Sequence, residues 1–141
     1  MKFNDYRIDS KIKSQLEYMG FRKPTDIQYR AIQHVLDGED VMAVAPTGTG
    51  KTAAFAIPMI EKMLQSKRTG PGIRALVMVP TRELAKQISE VIDTIAIKTK
   101  VSCLGLYGGV DQEAQIKTLE KKLDVLVATP GRMFDLISQG Y

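Results

Sequence analysis

Residues 45–52 constrain this chain more than any other stretch, because they form the pattern of a phosphate-binding loop. They read Ala-Pro-Thr-Gly-Thr-Gly-Lys-Thr, follow the apolar residues 41–44 and precede a helical apolar pattern over residues 53–64. Glycines let a backbone wrap an anion with its N–H groups turned inward, and a helix N-terminus adds partial positive charge. In this pattern the lysine, here Lys51, reaches the outer phosphates, and the hydroxyl of Thr52 ligates Mg²⁺. The flanking strand and helix patterns argue against an ordinary strand-to-helix turn, so we expect a nucleoside triphosphate site.

Four apolar runs alternate with amphipathic helical patterns along the chain. The runs cover residues 40–44, 73–79, 101–107 and 123–129, and each is followed by a distinctive loop. Continuous apolar runs are typical of strands buried on both faces, which predicts a parallel sheet in an α/β fold. Ligands bind beyond the carboxyl ends of such strands. We therefore expect all four loops, including the phosphate loop, to line one edge of the domain.

The amino-acid composition excludes few classes of protein. The 141 residues suffice for one domain, and the net charge of +4 permits nucleic-acid binding without establishing it. Cys103 is the single cysteine, so the chain has no internal disulfide, and its apolar neighbours predict a small buried side chain. No signal peptide or membrane-spanning run is present in the sequence, and we expect a cytoplasmic location.

Three of the four loops carry groups that bind phosphates. One reads Pro80-Thr81-Arg82-Glu83, the next contains Gly108-Gly109, and the last reads Thr129-Pro130-Gly131-Arg132. Hydroxyls, guanidinium groups and helix N-termini contact nucleic-acid backbones without reading bases. Each loop by itself is better explained as a helix cap. Their coincidence on the nucleotide-binding edge favours a nucleic-acid backbone bound with little sequence specificity.

Gln28 has two interpretations. With Thr25 it fits a capping box, in which its side chain bonds back to the Thr25 N–H. Alternatively, its amide pairs with the edge of an adenine, which offers a matching donor and acceptor. The local sequence favours the capping box.

These motifs together resemble the DEAD-box family of ATP-dependent RNA helicases over nearly the whole chain. Residues 20–28, Gly-Phe-Arg-Lys-Pro-Thr-Asp-Ile-Gln, resemble the family's Q motif, and Phe3 resembles its isolated upstream aromatic residue. Residues 45–52 are similar to motif I, 80–84 to motif Ia, 108–109 to the GG element and 129–132 to motif Ib.

The resemblance implies a role for each matching residue, with ATP and Mg²⁺ as cofactors. Phe21 would stack on adenine and Gln28 would select it, while Lys51 and Thr52 would take part in catalysis and Thr52 would hold the metal. The implied nucleotide-binding residues are Phe3, Phe21, Gln28, Pro46, Thr47, Gly48, Thr49, Gly50, Lys51 and Thr52. The implied RNA-binding residues are Pro80, Thr81, Arg82, Gly108, Gly109, Thr129, Pro130, Gly131 and Arg132.

One departure from the family pattern is large. The Asp-Glu-Ala-Asp box, the Ser-Ala-Thr motif and the second RecA-like domain are absent. We therefore expect an incomplete RecA-like P-loop domain, with residues 1–38 as a Q-motif helical lead and 39–141 as a partial ATP-binding domain. The fragment should not hydrolyse ATP, and its exposed strand edges should make it marginally stable or self-associating. The alternatives are another phosphate-loop protein, such as a small kinase or transport ATPase, and a naturally short, non-catalytic binding module.

Overall fold

The computed structural model describes residues 1–141 and divides them into two compact units. The first comprises Met1–Arg68 and Thr94–Lys100, and the second comprises Thr69–Asp93 and Val101–Tyr141. The predicted division into residues 1–38 and 39–141 stays a prediction.

The first unit is helical. A single 3₁₀ turn at Phe3–Asp5 precedes α1 (Ser10–Tyr18), α2 (Asp26–Leu36) and α3 (Lys51–Gln65), and α2 packs against α3. The carboxylate of Asp9 caps α1 by accepting the Lys11 N–H at 2.7 Å. The Asp9 N–H in turn donates to the buried carboxylate of Glu61 on α3 at 2.6 Å. Apolar side chains fill the interior, among them Ile12, Leu16, Ile32, Ile57 and Ile60.

The predicted strand at residues 40–44 does not form, and this expectation was wrong. Residues 39–46 have no regular secondary structure, and the side chains of Met42 and Val44 are 95% and 90% exposed. An isolated strand has no partner for its N–H and C=O groups, so the apolar pattern alone does not produce one. The structure therefore contains three strands instead of the expected four.

The second unit contains a parallel sheet covered by helices. Its elements are β1 (Ala75–Met78), α4 (Arg82–Ala96, whose residues 94–96 belong to the first unit), β2 (Cys103–Leu106), α5 (Gln112–Leu119), β3 (Val125–Ala128) and α6 (Pro130–Ser138). The strand order is β1–β3–β2, and every residue of the central strand β3 is buried. The core contains Leu106, Leu123, Leu126, Ala128 and Leu136.

The three strands begin and end at the same level. Val125 pairs with Ala75 on one side and with Cys103 on the other, and Ala128 pairs with Met78 and Leu106. The loops that follow the three strands therefore share one edge of the sheet, as predicted. The expectation that the phosphate loop lies at this edge stays a prediction, because residues 41–44 form no strand.

The thiol of Cys103 lies in this sheet and is half-buried. Burial raises its pKa to about 12, and the charge of Asp93 contributes in the same direction. The thiol is therefore protonated and unreactive at neutral pH, in agreement with its predicted apolar character, although the side chain is half-buried where a buried one was expected. None of the helices in either unit has the length and apolar character that crossing a bilayer requires.

The opposite edge of the sheet is held together by Asp124. Its side chain is buried and accepts the Ser102 N–H at 3.0 Å, while the guanidinium of Arg74 lies 3.5 Å away. Its backbone carbonyl also accepts the N–H groups of Arg74 and Ala75. One residue thus joins the starts of all three strands.

We predict that Asp124→Ala lowers the free energy of unfolding by about 3 kcal/mol, because it leaves buried donors without their acceptor. Urea unfolding of the full-length protein, followed by circular dichroism, measures this change. Asp135→Ala, at an exposed position on α6, is the control and should cost less than about 0.5 kcal/mol. Equal costs for the two variants would show that Asp124 does not hold the sheet.

Candidate nucleotide and nucleic-acid site

The phosphate loop contains two glycines in a backbone conformation that other residues rarely adopt, although the strand before the loop is missing. Gly48 and Gly50 have φ angles of +79° and +88°, in the left-handed region that favours glycine. The hydroxyl of Thr49 donates to the carbonyl of Pro46 at 2.7 Å and closes the loop. Lys51 is the first residue of α3, so the loop runs directly into a helix N-terminus. The Lys51 side chain is exposed and that of Thr52 is half-buried.

Gln28 connects the start of α2 to the phosphate loop. Its Oε1 accepts the Thr25 N–H at 3.0 Å, which confirms the predicted capping box. Its Nε2 donates to the carbonyl of Gly50 at 3.1 Å, and the Thr25 hydroxyl donates to the carbonyl of Thr49 at 2.8 Å. The amide orientation follows from the partners, since an N–H can only donate and a carbonyl can only accept. The Q-motif-like segment therefore holds the phosphate loop directly.

Gly50 has no room for a side chain. A Cβ built on Gly50 would collide with Nε2 of Gln28 and would lie 3.2 Å from Oγ1 of Thr25. Gly48 has the same left-handed backbone, and no atom lies within 4 Å of its Cβ position. The two glycines thus serve different needs: Gly48 supplies only the conformation, and Gly50 also supplies the close approach to Gln28.

The two aromatic residues predicted to serve the nucleotide are brought together. The rings of Phe3 and Phe21 have centroids 6.3 Å apart, and the rings of Phe3 and Tyr6 are separated by the same distance. Phe3 is buried, whereas Phe21 is half-buried and lines a cavity of about 470 Å³. Several cationic side chains also line this cavity, namely Lys2, Lys13, Arg22 and Lys23.

At the strand-end edge of the second unit, Thr81 acts as the predicted helix cap. Its Oγ1 accepts the Leu84 N–H at 3.2 Å at the start of α4. The next residue, Arg82, is exposed, and its Nε donates to the carboxylate of Glu83 at 3.1 Å. The pKa of Glu83 lies below its ordinary value, chiefly through its own backbone N–H and then through the hydrogen bond from Arg82. The carboxylate is therefore charged at neutral pH and orients the guanidinium of Arg82.

The second glycine of the pair, Gly109, lies against Arg82. Gly109 has a φ of +81°, and a Cβ at this position would lie 2.7 Å from Nη1 of Arg82. A larger residue would push the guanidinium away, so Gly109 brings the loops after β1 and β2 together. No neighbour lies within 4 Å of the Cβ position of Gly108.

The third predicted loop leads directly into α6. The Thr129 N–H donates to the carbonyl of Leu106 at 3.0 Å, which ties this loop to the end of β2. Pro130 is the first residue of α6, and the Thr129 hydroxyl makes no capping bond. Helix capping therefore accounts for the hydroxyl of Thr81, but it gives the hydroxyl of Thr129 no role.

The sequence interpretation missed Gln115. This residue of α5 is 5% exposed, and its Oε1 accepts Nη1 of Arg132 at 2.8 Å. Its Nε2 donates to the carbonyl of Tyr107 at 3.1 Å. The available signal was weak: Gln115 stands next to Ile116 in a helix whose apolar face is short, and nothing in its position distinguishes it from a surface glutamine.

Comparison with known proteins identifies the family. The family model described as DEAD/DEAH box helicase matches residues 25–141. The protein called ATP-dependent RNA helicase CshA of Listeria monocytogenes is 42% identical over 98% of this chain. The protein called ATP-dependent rRNA helicase rrp3 of Emericella nidulans is 43% identical over 94% of it. A crystal structure of a DEAD box protein from Methanococcus jannaschii superposes with a TM-score of 0.87, at 39% identity over 99% of this chain.

The chain belongs to the DEAD/DEAH box helicase family. This membership excludes a small kinase or a transport ATPase. The chain spans only about a quarter of the length of the two named helicases, 26% of the Listeria protein and 28% of the Emericella protein. It covers 38% of the Methanococcus chain.

Proposed function

We propose that this chain is the nucleotide-binding part of a longer ATP-dependent RNA helicase, the parent helicase. One observation carries the proposal: Gln28 of the Q-motif-like segment is bonded to Gly50 of the phosphate loop, in the same unit as the Phe3–Phe21 pair. A base-recognition segment and a phosphate loop that share a hydrogen bond suit one nucleotide. The names of the relatives, which are ATP-dependent RNA helicases, support the same function.

In this proposal the nucleotide is ATP bound with Mg²⁺. The backbone N–H groups of residues 47–50 and the helix N-terminus at Lys51 hold the phosphates, and Thr52 ligates the metal, which neutralises phosphate charge. Phe21 supplies the stacking face for adenine. An amide has two N–H groups and two oxygen lone pairs. The bonds to Thr25 and Gly50 use one of each in Gln28, which leaves a donor and an acceptor for the adenine edge.

The proposed RNA site comprises the three loops at the strand-end edge of the second unit. Thr129 precedes α6 and Arg132 lies in the first turn of that helix, Arg82 begins α4, and Gly109 lies against the guanidinium of Arg82. These groups recognise a sugar-phosphate backbone and none of them reads a base, so binding should depend little on sequence.

The hydrolytic step requires groups outside this chain. We propose that the parent helicase supplies the Asp-Glu-Ala-Asp box and a second RecA-like domain, and that this chain alone does not hydrolyse ATP. Self-association is proposed to involve the outer edge of β1, where Leu76 and Met78 are 52% and 47% exposed. A cytoplasmic location is part of the same proposal.

Adenine stacking is tested with Phe21→Ala in the parent helicase. Loss of a base–aromatic stack costs about 1–3 kcal/mol, so ATP affinity should fall by roughly tenfold, as measured with a fluorescent ATP analogue. Phe134→Ala, at an exposed position on α6, is the matched control and should bind ATP normally. Unchanged ATP affinity in Phe21→Ala would refute the stacking role.

Backbone recognition is tested with Arg82→Ala. RNA affinity should fall by about tenfold for every sequence tried, and the salt dependence of binding should decrease by about one phosphate contact. Fluorescence anisotropy with uridine and adenosine oligonucleotides at several salt concentrations measures both quantities. Lys117→Ala, at an exposed position on α5, removes the same charge from the surface and should have little effect. A loss confined to one RNA sequence would contradict backbone recognition.

A further inference from the structure

Gln115 is buried where an amide is unexpected. It is the buried residue of α5, a short helix whose apolar side chains Ile116 and Leu119 are only partly buried. Glutamine is usually exposed, because burying an amide without partners is costly. The hydrogen bonds of the Gln115 side chain should therefore account for its burial.

Both ends of the amide are used, and they join three elements of the second unit. Nε2 donates to the carbonyl of Tyr107, the residue between β2 and the glycine pair, and Oε1 accepts from the guanidinium of Arg132 on α6. The partners fix the amide orientation, since arginine only donates and a carbonyl only accepts. The side chain thus sets the position of Arg132 relative to the Gly108-Gly109 turn.

We infer that Gln115 is a positioning residue of the RNA site, which holds Arg132 in the orientation that receives a phosphate. An arginine side chain loses considerable rotamer freedom when it is fixed, and fixing it before RNA arrives removes that cost from binding. The bond to Gln115 uses one of the five guanidinium N–H donors. This inference rests on the proposed RNA-binding function of the loop after β3.

A neutral partner suits this role better than a carboxylate. Glutamate at the same position would also accept from Arg132, and because position 115 is buried its charge would offset that of the guanidinium far more than the exposed, solvent-screened Glu83 offsets that of Arg82. The carboxylate oxygen that replaces Nε2 would also face the carbonyl oxygen of Tyr107, and neither oxygen has a hydrogen to donate. Gln115→Glu is therefore close to isosteric and should still impair the site.

The experiment compares four variants of the parent helicase: Gln115→Ala, Gln115→Glu, Arg132→Ala and the double variant Gln115→Ala/Arg132→Ala. Affinity for a short uridine oligonucleotide is measured by fluorescence anisotropy over a series of salt concentrations. We expect Arg132→Ala and Gln115→Glu each to weaken binding about tenfold and to reduce the salt dependence by about one phosphate contact. Gln115→Ala should weaken binding several-fold and leave the salt dependence nearly unchanged, because Arg132 keeps its charge.

The double variant separates positioning from a general effect on folding. If Gln115 acts through Arg132, adding Gln115→Ala to Arg132→Ala should change RNA affinity less than twofold. An equal loss with and without Arg132 would overturn the inference, as would normal RNA binding by both Gln115 variants. Gln112→Ala is the control on the same helix, where the Gln112 amide donates only to the Gln139 side chain at 2.8 Å.

Failure of the underlying function has a different signature. Normal RNA binding by Arg132→Ala would refute an RNA site at this loop and the positioning role together. Weakened binding by Arg132→Ala with normal binding by both Gln115 variants would refute the positioning role alone.

Discussion

Lys51→Ala in the parent helicase should lower RNA-stimulated ATP turnover on the order of 10²-fold or more. Lys51 begins α3 at the end of the phosphate loop and its side chain is exposed, so its ammonium is free to approach the outer phosphates. Removing one preorganised group that stabilises developing charge typically costs this much in kcat. Steady-state hydrolysis with saturating RNA, analysed for kcat and KM separately, measures the change.

Two further variants sharpen this test. Lys51→Arg keeps the positive charge and replaces a compact ammonium with a planar fork, so most of the activity should still be lost. Lys67→Ala removes a lysine from the exposed stretch after α3 and should leave kcat within twofold of the wild-type value. A Lys51→Ala protein with normal kcat would show that the loop does not hold the reacting phosphates.

Gly50→Ala should destabilise the first unit and abolish most ATP binding, whereas Gly48→Ala should have a smaller effect. Both glycines have left-handed backbones, where alanine costs about 1–2 kcal/mol. Only at Gly50 does the new methyl group collide with the Gln28 amide, and such overpacking adds about 1–3 kcal/mol. The thermal midpoint by circular dichroism and the affinity for a fluorescent ATP analogue report the two effects.

A double variant isolates the collision. In a Gln28→Ala background the amide is gone, so Gly50→Ala should cost no more than Gly48→Ala does in the wild-type protein. The remaining neighbour, Oγ1 of Thr25, would lie 3.2 Å from the new Cβ and requires only a small adjustment. If Gly50→Ala were equally harmful with and without Gln28, backbone conformation alone would explain this glycine.

Local patterns in the sequence were sufficient to predict the helices and caps. The capping box at Thr25 and Gln28 and the helix that follows the phosphate loop both depend on residues within a few positions of one another. The parallel sheet and its shared edge also followed, because continuous apolar runs separated by helices admit few other arrangements.

Long-range contacts explain what the sequence did not predict. Residues 41–44 have the composition of a strand, and they form none because pairing depends on neighbours rather than on composition. Gln28 bonds to Gly50 across 22 positions, and Gln115 to Arg132 across 17. No local pattern marks such pairs, so the link between the Q-motif-like segment and the phosphate loop became visible only in three dimensions.

Because the three strands end at the same level, the spacing between strands sets the distances between the loops that follow them. Neighbouring strands lie about 4.8 Å apart, so the ends of β1 and β2, with β3 between them, are separated by about 10 Å. In a stacked B-form strand, successive nucleotides advance about 3.4 Å along the helix axis. A strand with this rise that lay along the edge would therefore advance about three nucleotide steps between the ends of β1 and β2, and the length of nucleic acid in contact would be set by the spacing of strands in a sheet.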